Sequence, residues 1–183
     1  MVAELEEDTS AVRIDLASRA ERGLLENLLE LYSHDLSEIF ASVQLADDGR
    51  FGYPRLSSYW SEPNVRFPFL IRKTGKLVGF AFAQRGSPMS DDPEVFDVAE
   101  FFVLRGERRS GVGARAAKLL WDRLPGRWLV RVAEANQGGL PFWTRVVKEY
   151  AGDAFSQTQR ATESHRWRVF AFETRSHLQQ GAR

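Results

Sequence analysis

Residues 100–113 read EFFVLRGERRSGVG, and this stretch decides the fold expected for the chain. An apolar run leads into an arginine-rich turn, after which Arg108, Gly111 and Gly113 form an Arg-x-x-Gly-x-Gly pattern that opens a helix. Glycine lets the backbone approach a ligand where a Cβ would block it, and amides at a helix N-terminus attract anions. The stretch therefore predicts a strand, a helix, and between them an anion cradle made by the amides of residues 109–114.

The composition is typical of a soluble globular protein. The chain has 183 residues, of which 43% are hydrophobic, 12% aromatic and 27% charged, and this suits a single folded domain. Basic and acidic residues number 25 each. Because the net charge is zero, no overall field favours nucleic acid or an anionic membrane surface, and we expect neither as a partner.

Several chemistries are excluded by residue type. The chain has no cysteine, which removes disulfides, thiolate zinc sites and a cysteine nucleophile. Its histidines, at positions 34, 165 and 177, lack the spacing of metal ligands, so we expect no metal. The first residues are acidic rather than leader-like, and apolar residues never run to about 18 in a row. We expect a cytoplasmic protein.

Hydrophobic periodicity, interrupted by glycine and proline turns, predicts the order of the elements. It is strand, two helices, three strands, helix, strand, helix and two strands. The predicted strands are 11–16, 67–72, 77–84, 95–103, 128–132, 154–159 and 167–173, and the predicted helices are 20–32, 35–43, 113–124 and 140–150. Residues 45–63 are expected to form a structured loop. We expect one domain at 11–174, a flexible N-terminus at 1–10 and a C-terminal tail at 175–183.

A second motif follows the strand predicted at 128–132, where residues 136–143 read NQGGLPFW. The loop at 108–113, this asparagine-led block and the element order together resemble the GNAT superfamily of N-acetyltransferases over nearly the whole chain. Either motif alone is weak evidence, but their spacing makes the match specific. The resemblance implies an α/β (α+β) fold, with helices flanking a central, twisted, mixed and mostly antiparallel sheet of about seven strands.

The resemblance also implies an activity. Such a protein transfers an acetyl group from acetyl-CoA, its co-substrate, to a primary amine that attacks the thioester directly, and it needs no metal. The acceptor is unidentified, and a homodimer is an expectation at the level of the family. The predicted coenzyme-binding residues are Phe102, Val103, Arg108, Arg109, Ser110, Gly111, Val112, Gly113, Ala114, Asn136, Phe142 and Trp143.

Individual roles come with the resemblance. The main chain of the strand at Phe102 and Val103 would pair with the pantetheine arm, and one of these amides would polarise the thioester carbonyl. Asn136 would lie beside the pantetheine or thioester, and we count it among the catalytic residues. Four arginine side chains would reinforce the diphosphate cradle, and one of them would reach the 3′-phosphate of the adenosine, since arginine forks suit phosphate oxygens. They are Arg105, Arg108, Arg109 and Arg115.

The amine must lose a proton before it attacks, and two carboxylates compete to accept it. Strict alternation along the predicted strand places Asp97 and Glu100 on opposite faces, so at most one of them meets the acceptor. We favour Glu100, whose position resembles that of the base in many family members and whose apolar neighbours would raise its pKa.

No general acid is assigned. Trp143 occupies the register in which the family commonly carries a tyrosine that protonates the leaving thiolate, and an indole cannot do this. Tyr150, Tyr53 or Tyr59 would take over, or the thiolate would leave unassisted, which a thiol pKa of roughly 8.5 permits.

Two other functions are suggested by parts of the sequence. Residues 111–116 also spell the Gly-x-Gly-x-x-Ala dinucleotide fingerprint, but this should follow the first strand of a fold whose remaining half is missing here. A catalytically weak acyl-CoA-binding sensor or interaction module of the same fold is the alternative, and Trp143 favours it. Acidic residues such as Asp35 and Glu38 have the charge to attract a cationic acceptor, but we interpret them as solvated surface groups.

Overall fold

The computed structural model describes residues 11–174 of the chain. The predicted flexible N-terminus, 1–10, and C-terminal tail, 175–183, lie outside the described residues. Seven strands form one sheet. They are β1 (Val12–Leu16), β2 (Arg66–Lys73), β3 (Lys76–Arg85), β4 (Phe96–Val103), β5 (Arg127–Ala133), β6 (Phe155–Ala161) and β7 (Arg166–Glu173). The α-helices are α1 (Arg22–Ser37), α2 (Ser58–Ser61), α3 (Val112–Arg123) and α4 (Gly139–Ala151).

The sheet confirms the predicted fold class. Its strand order is β1-β2-β3-β4-β5-β7-β6, and every neighbouring pair is antiparallel except β4 and β5, which are parallel. One face is covered by α3 and α4, around the fully buried Trp121 and Trp128. The other face is covered by α1 and α2, around Leu25, Phe80 and Phe82. Within the described part of the chain, no helix is both long and apolar enough to cross a membrane.

The helix predicted at 35–43 is wrong. Residues 35–37 form the last turn of α1, residues 38–43 form turns, and the short α2 lies inside the segment predicted as a loop. Beyond the end of α1, the ring of Phe40 stacks on Trp167 of β7 at 6.0 Å and packs against His165. This long-range packing draws the chain off the helix axis, and no local sequence pattern reports it.

The parallel strands β4 and β5 separate soon after they meet. Only two pairs join them, Phe96 with Trp128 and Asp97 with Leu129. The rest of β4 pairs with β3 alone and has an open edge toward β5. The gap between the strands opens toward the N-terminal ends of α3 and α4.

A β-bulge interrupts β4 near the middle of the strand. Phe82 of β3 pairs with Glu100 and the next residue, Ala83, pairs with Val98, which leaves Ala99 without a partner. The extra residue shifts the alternation of side chains. Val98 and Phe101 both pack in the core beneath α3 and α4, although their separation is odd.

The bulge overturns the prediction that Asp97 and Glu100 lie on opposite faces of the sheet. Asp97 points away from the core occupied by Val98, toward the α1 side, and Glu100 is hydrogen-bonded by Tyr32 of α1. Both carboxylates therefore lie on the same face, so orientation alone does not decide between them.

The packing of β3 against β4 predicts a mutational effect. A Cβ at Gly79 would overlap the backbone carbonyl of Phe102, so Gly79→Ala should lower the free energy of unfolding by about 2–3 kcal/mol. Gly23, in the first turn of α1, has open space where a Cβ would stand, and Gly23→Ala should raise it by up to about 1 kcal/mol. Urea unfolding of both variants tests this, and equal effects would contradict the close approach.

Candidate active site

A cleft of about 1270 Å³ occupies the gap between β4 and β5. One wall is the end of β4, a second is the N-terminal turns of α3 and α4, and a third is the C-terminal half of α1. Of the predicted coenzyme-binding residues, those that line the cleft are Phe102, Val103, Arg108, Arg109, Gly111, Gly113, Ala114, Asn136, Phe142 and Trp143. The structure thus brings the two sequence motifs together at one cleft.

The loop before α3 has the backbone form of an anion-binding nest. Arg109 and Gly111 have positive φ angles, 65° and 82°, and α3 begins at the next residue, Val112. Alternating handedness of this kind turns successive amides toward one point, where the helix dipole adds positive potential. A left-handed arginine costs about 1 kcal/mol, and such strain is typical of ligand loops.

Side chains around this loop hold it from within. The Ser110 hydroxyl donates to the carbonyl of Glu107 at 2.8 Å, and Val112 is fully buried in the core. These two residues therefore support the loop with their side chains, and only their backbone amides are left to face a ligand. The predicted cradle is formed by main chain rather than by side chains.

The glycine of this loop and the aromatic residue of the second motif meet in space. A Cβ added at Gly113 would lie 3.2 Å from Cε2 of Phe142 and 3.7 Å from Cγ2 of Val103. Because Gly113 has no side chain, α3, α4 and the end of β4 approach one another closely. The packing of each motif therefore depends on the other.

Asn136 acts first as a structural residue. Its Oδ1 accepts a hydrogen bond from the amide of Gly139 at 2.7 Å and so caps α4. A Cβ at Gly139 would lie 2.6 Å from Nδ2 of Asn136, so this arrangement requires glycine. The cap satisfies one free amide of the helix N-terminus and holds the asparagine at the edge of the cleft.

Arg108 does not point into the loop. Its Nε donates to the carbonyl of Val103 at 2.8 Å, and its terminal nitrogen donates to Asp35 of α1 at 2.6 Å. Arg105 donates to the other oxygen of Asp35, also at 2.6 Å. Burial acts to raise the pKa of Asp35, but the hydrogen bonds from the two arginines outweigh it and leave that pKa lowered. Asp35 is thus a charged clasp between α1 and the loop.

Two other arginines line the cleft without a salt bridge to any described residue. They are Arg109, of the predicted cradle, and Arg145 of α4. Sequence reasoning missed Arg145. The residue could have been found from its position, because it follows Trp143 by two residues and lies in the first turns of the helix that the second motif opens.

The open edge of β4 presents the amide of Val103 rather than that of Phe102. The amide of Leu104 donates to Val78 on β3, and the carbonyl of Phe102 lies against Gly79 of the same strand. Neighbouring residues of a strand turn their backbone groups to opposite sides. The N–H and C=O groups of Phe101 and Val103 therefore face the cleft.

Glu100 is a half-buried carboxylate with two tyrosine donors. The hydroxyl of Tyr32 donates to Oε2 at 2.6 Å and that of Tyr53 donates to Oε1 at 2.9 Å. Burial raises the pKa of Glu100, and this outweighs the lowering by both hydrogen bonds and by the positive charge of Arg131. Among the described residues lining the cleft, Tyr32 is present and Glu100 is not.

Asp97 is a buried member of an ion pair. Its side chain is 0% exposed, and Arg131 of β5 holds it, with Nε at 3.0 and 2.8 Å from the two carboxylate oxygens. Burial raises the pKa of Asp97, against the lowering effect of Arg131. A carboxylate committed to a guanidinium is a poor proton acceptor, so Glu100 is the better candidate base.

None of the tyrosines considered as the acid from the sequence, Tyr150, Tyr53 and Tyr59, lines the cleft, whereas Trp143, which cannot act as an acid, does. Trp143 is 8% exposed and packs edge-on against Phe101. Tyr150 donates to Asp122, on the α3–α4 side, and the hydroxyl of Tyr59 is buried without a partner among the described residues. Sequence reasoning missed Tyr32. The sequence does place Tyr32 four residues after Leu28, on the helix face that packs on the sheet. A tyrosine hydroxyl buried there needs a hydrogen-bond partner, and this could have indicated a polar residue nearby.

Comparisons with known proteins identify the family of the chain. The model of the acetyltransferase (GNAT) family matches residues 25–147. Among curated proteins, none is significantly similar to this chain.

Solved structures share the fold. The Salmonella typhimurium protein yncA, solved with its cofactor acetyl-CoA, is 14% identical, with a TM-score of 0.63 over 94% of this chain and 99% of its own. AAC(6')-Ib, in complex with ribostamycin and coenzyme A, is 12% identical, with a TM-score of 0.66 over 94% of this chain and 98% of its own. The Vibrio cholerae spermidine N-acetyltransferase, in complex with coenzyme A and spermine, is 10% identical, with a TM-score of 0.62 over 90% of this chain and 96% of its own.

The assignment of Asp97 to structure rather than chemistry can be tested by stability. Asp97→Asn leaves the guanidinium of Arg131, whose side chain is 15% exposed, without its counter-charge, and should lower the free energy of unfolding by about 3 kcal/mol. The control is Asp92→Asn, which breaks the exposed pair with Arg127 and should cost less than about 1 kcal/mol. Urea unfolding gives both values. If Asp97→Asn left the free energy of unfolding unchanged, Asp97 would again be a candidate for the base.

Proposed function

The chain belongs to the GNAT acetyltransferase family, and we propose that it transfers an acetyl group from acetyl-CoA to the primary amine of an acceptor by direct attack on the thioester. The observation that carries the proposal is the pairing of an anion-binding nest with a half-buried carboxylate at opposite ends of the open edge of β4. Cytoplasmic location and a homodimer stay predictions.

The donor would lie along the cleft. The amides of residues 109–114 and the N-terminus of α3 would hold the diphosphate. Beside them lies the guanidinium of Arg109, which forms no salt bridge with a described residue and would add a charged donor. The pantetheine arm would pair with the backbone edge at Phe101 and Val103, as an added strand does. The amide of Val103, which faces the cleft, would then polarise the thioester carbonyl as charge develops on its oxygen.

The acceptor must reach the thioester as a neutral amine. An ammonium ion has no lone pair, so a base must remove a proton first. Glu100 meets the requirement because its pKa is raised, which brings it closer to neutrality, and because its hydrogen-bond donors are tyrosines rather than cations. After the attack, the tetrahedral intermediate expels the thiolate, a fair leaving group with a pKa of roughly 8.5.

The class of acceptor is an amine, and the fold leaves its identity open. The relatives with a shared fold are named for different amines or hold different ones, such as spermine and ribostamycin. In a shared fold, function depends on the residues of the individual site. We therefore propose the reaction and its donor and leave the acceptor to a screen of amines, polyamines and peptides.

Thiol release from acetyl-CoA tests the reaction. With a panel of amines, the protein should show turnover that falls by about 100-fold or more in Glu100→Gln, because the base is lost while the shape is kept. In the wild type, kcat/KM should fall as the pH drops through the pKa of Glu100, which lies above 4.5. Glu62→Gln, at an exposed pair with Arg66, is the matched control.

Two outcomes of this assay are informative. Turnover that survives in Glu100→Gln would show that another group is the base. Tight binding of acetyl-CoA without turnover on any acceptor of a broad panel would favour an acyl-CoA-binding module of the same fold.

Calorimetric binding of coenzyme A tests the nest. Gly111 has φ 82° at the start of α3, and Gly111→Val should weaken binding by about tenfold or more, because a branched side chain disfavours this conformation and fills the cradle. Gly52→Val is the control. Gly52 has φ 67° with open space around it, outside the cleft, so it carries the same strain without the cradle. Equal affinities in the two variants would contradict the assignment.

A further inference from the structure

We propose that Tyr32 relays the proton from the acceptor amine to Glu100. The inference rests on the proposed function and adds a residue that neither the sequence motifs nor the family match assigns. Tyr32 and Glu100 differ in their position relative to the cleft. Tyr32 lines the cleft, whereas Glu100 is absent from the described residues that line it, and the two are joined by a hydrogen bond of 2.6 Å.

The ring of Tyr32 is held in place by the sheet. It meets the ring of Phe80 edge-on, with centroids 5.5 Å apart and planes at 89°, and the ring of Phe102 at 5.9 Å. Edge-to-face contacts of this kind favour one orientation of an aromatic ring. These contacts hold the hydroxyl against the carboxylate, at the distance of a strong charge-assisted hydrogen bond, on a side chain that lines the cleft.

The charges around the pair support transfer toward Glu100. Tyr53 donates to its other oxygen from the loop after α1, and the guanidinium of Arg131 on β5 and the carboxylate of Asp97 on β4 act on it electrostatically. Burial and the charge of Glu100 raise the pKa of Tyr32 well above its usual value. Tyr32 therefore stays a neutral hydroxyl at working pH, and it passes protons on without releasing its own to solvent.

The transfer is balanced in atoms and charge. An N–H bond of the acceptor ammonium breaks and its proton bonds to the Tyr32 oxygen, while the original Tyr32 O–H bond breaks and that proton bonds to Oε2 of Glu100. The ammonium becomes a neutral amine, the carboxylate becomes a carboxylic acid, and Tyr32 is unchanged. The amine lone pair then attacks the thioester, and Glu100 later returns its proton to solvent.

Tyr53 provides a matched control for the role of Tyr32. Both tyrosines donate one hydrogen bond to Glu100, at 2.6 and 2.9 Å, but only Tyr32 lines the cleft. Tyr32→Phe and Tyr53→Phe each remove one hydroxyl and keep the ring. Either change removes a hydrogen bond that lowers the pKa of Glu100, so both should move the acid limb of the kcat/KM profile to higher pH.

The experiment compares the pH profiles of kcat/KM for wild type, Tyr32→Phe and Tyr53→Phe, with the best amine acceptor found. If Tyr32 relays the proton, the high-pH plateau of Tyr32→Phe should lie roughly 100-fold below that of Tyr53→Phe, while coenzyme A binds both variants with wild-type affinity. If Tyr32 only positions the carboxylate, the two plateaus should agree within about threefold, and this result would overturn the proposal.

A second measurement needs no variant. The solvent isotope effect on kcat/KM of the wild type, measured in mixtures of light and heavy water, should curve with deuterium fraction because two protons move together. A straight line, meaning one proton in flight, would overturn the relay even if Tyr32→Phe failed to fold. Absence of turnover in the wild type would instead contradict the proposed function itself, so the two failures are distinguishable.

Discussion

The early separation of β4 from β5 is the constraint on which the rest of the structure depends. Two residue pairs join these parallel strands before they diverge, which leaves backbone donors and acceptors of β4 facing a gap instead of a neighbour. Buried backbone groups are paired in nearly all folded proteins. An edge left open in the middle of a sheet is therefore suited to a ligand that pairs as a strand would, and this is where the proposed pantetheine arm would lie. The N-termini of α3 and α4 face the same gap.

The bulge at Ala99 adds a second consequence by resetting the alternation of β4. It turns Asp97 and Glu100 to the same face of the sheet, only three residues apart, and their partners then separate their roles. Asp97 is held by the guanidinium of Arg131, whereas Glu100 is held by two neutral hydroxyls. A carboxylate held by a guanidinium is committed to that ion pair, while one with neutral donors in a half-buried place keeps the capacity to take up a proton.

Features that depend on local sequence could be predicted. The loop before α3 follows from its glycines, and the β2–β3 hairpin follows from its Lys-Thr-Gly-Lys turn, where Thr74 and Gly75 have positive φ angles. Features that depend on distant residues could not. The bulge responds to the pairing of two strands, the end of α1 responds to the packing of Phe40, and Tyr32 meets a carboxylate 68 residues away. Hydrophobic periodicity gives no information about these contacts, because it depends only on residues close together in the sequence.

The ion pairs of Asp35 couple two walls of the cleft, the end of α1 and the segment before α3. This carboxylate lies three residues after Tyr32 on α1 and holds Arg105 and Arg108 of the segment before α3. An anionic ligand that draws either arginine toward itself weakens the hold on α1, and thermodynamic linkage is reciprocal. Whatever tightens the hold of Asp35 on the loop therefore loosens such a ligand by the same factor, so occupancy of the loop and the order of the C-terminal end of α1 share a single coupling free energy.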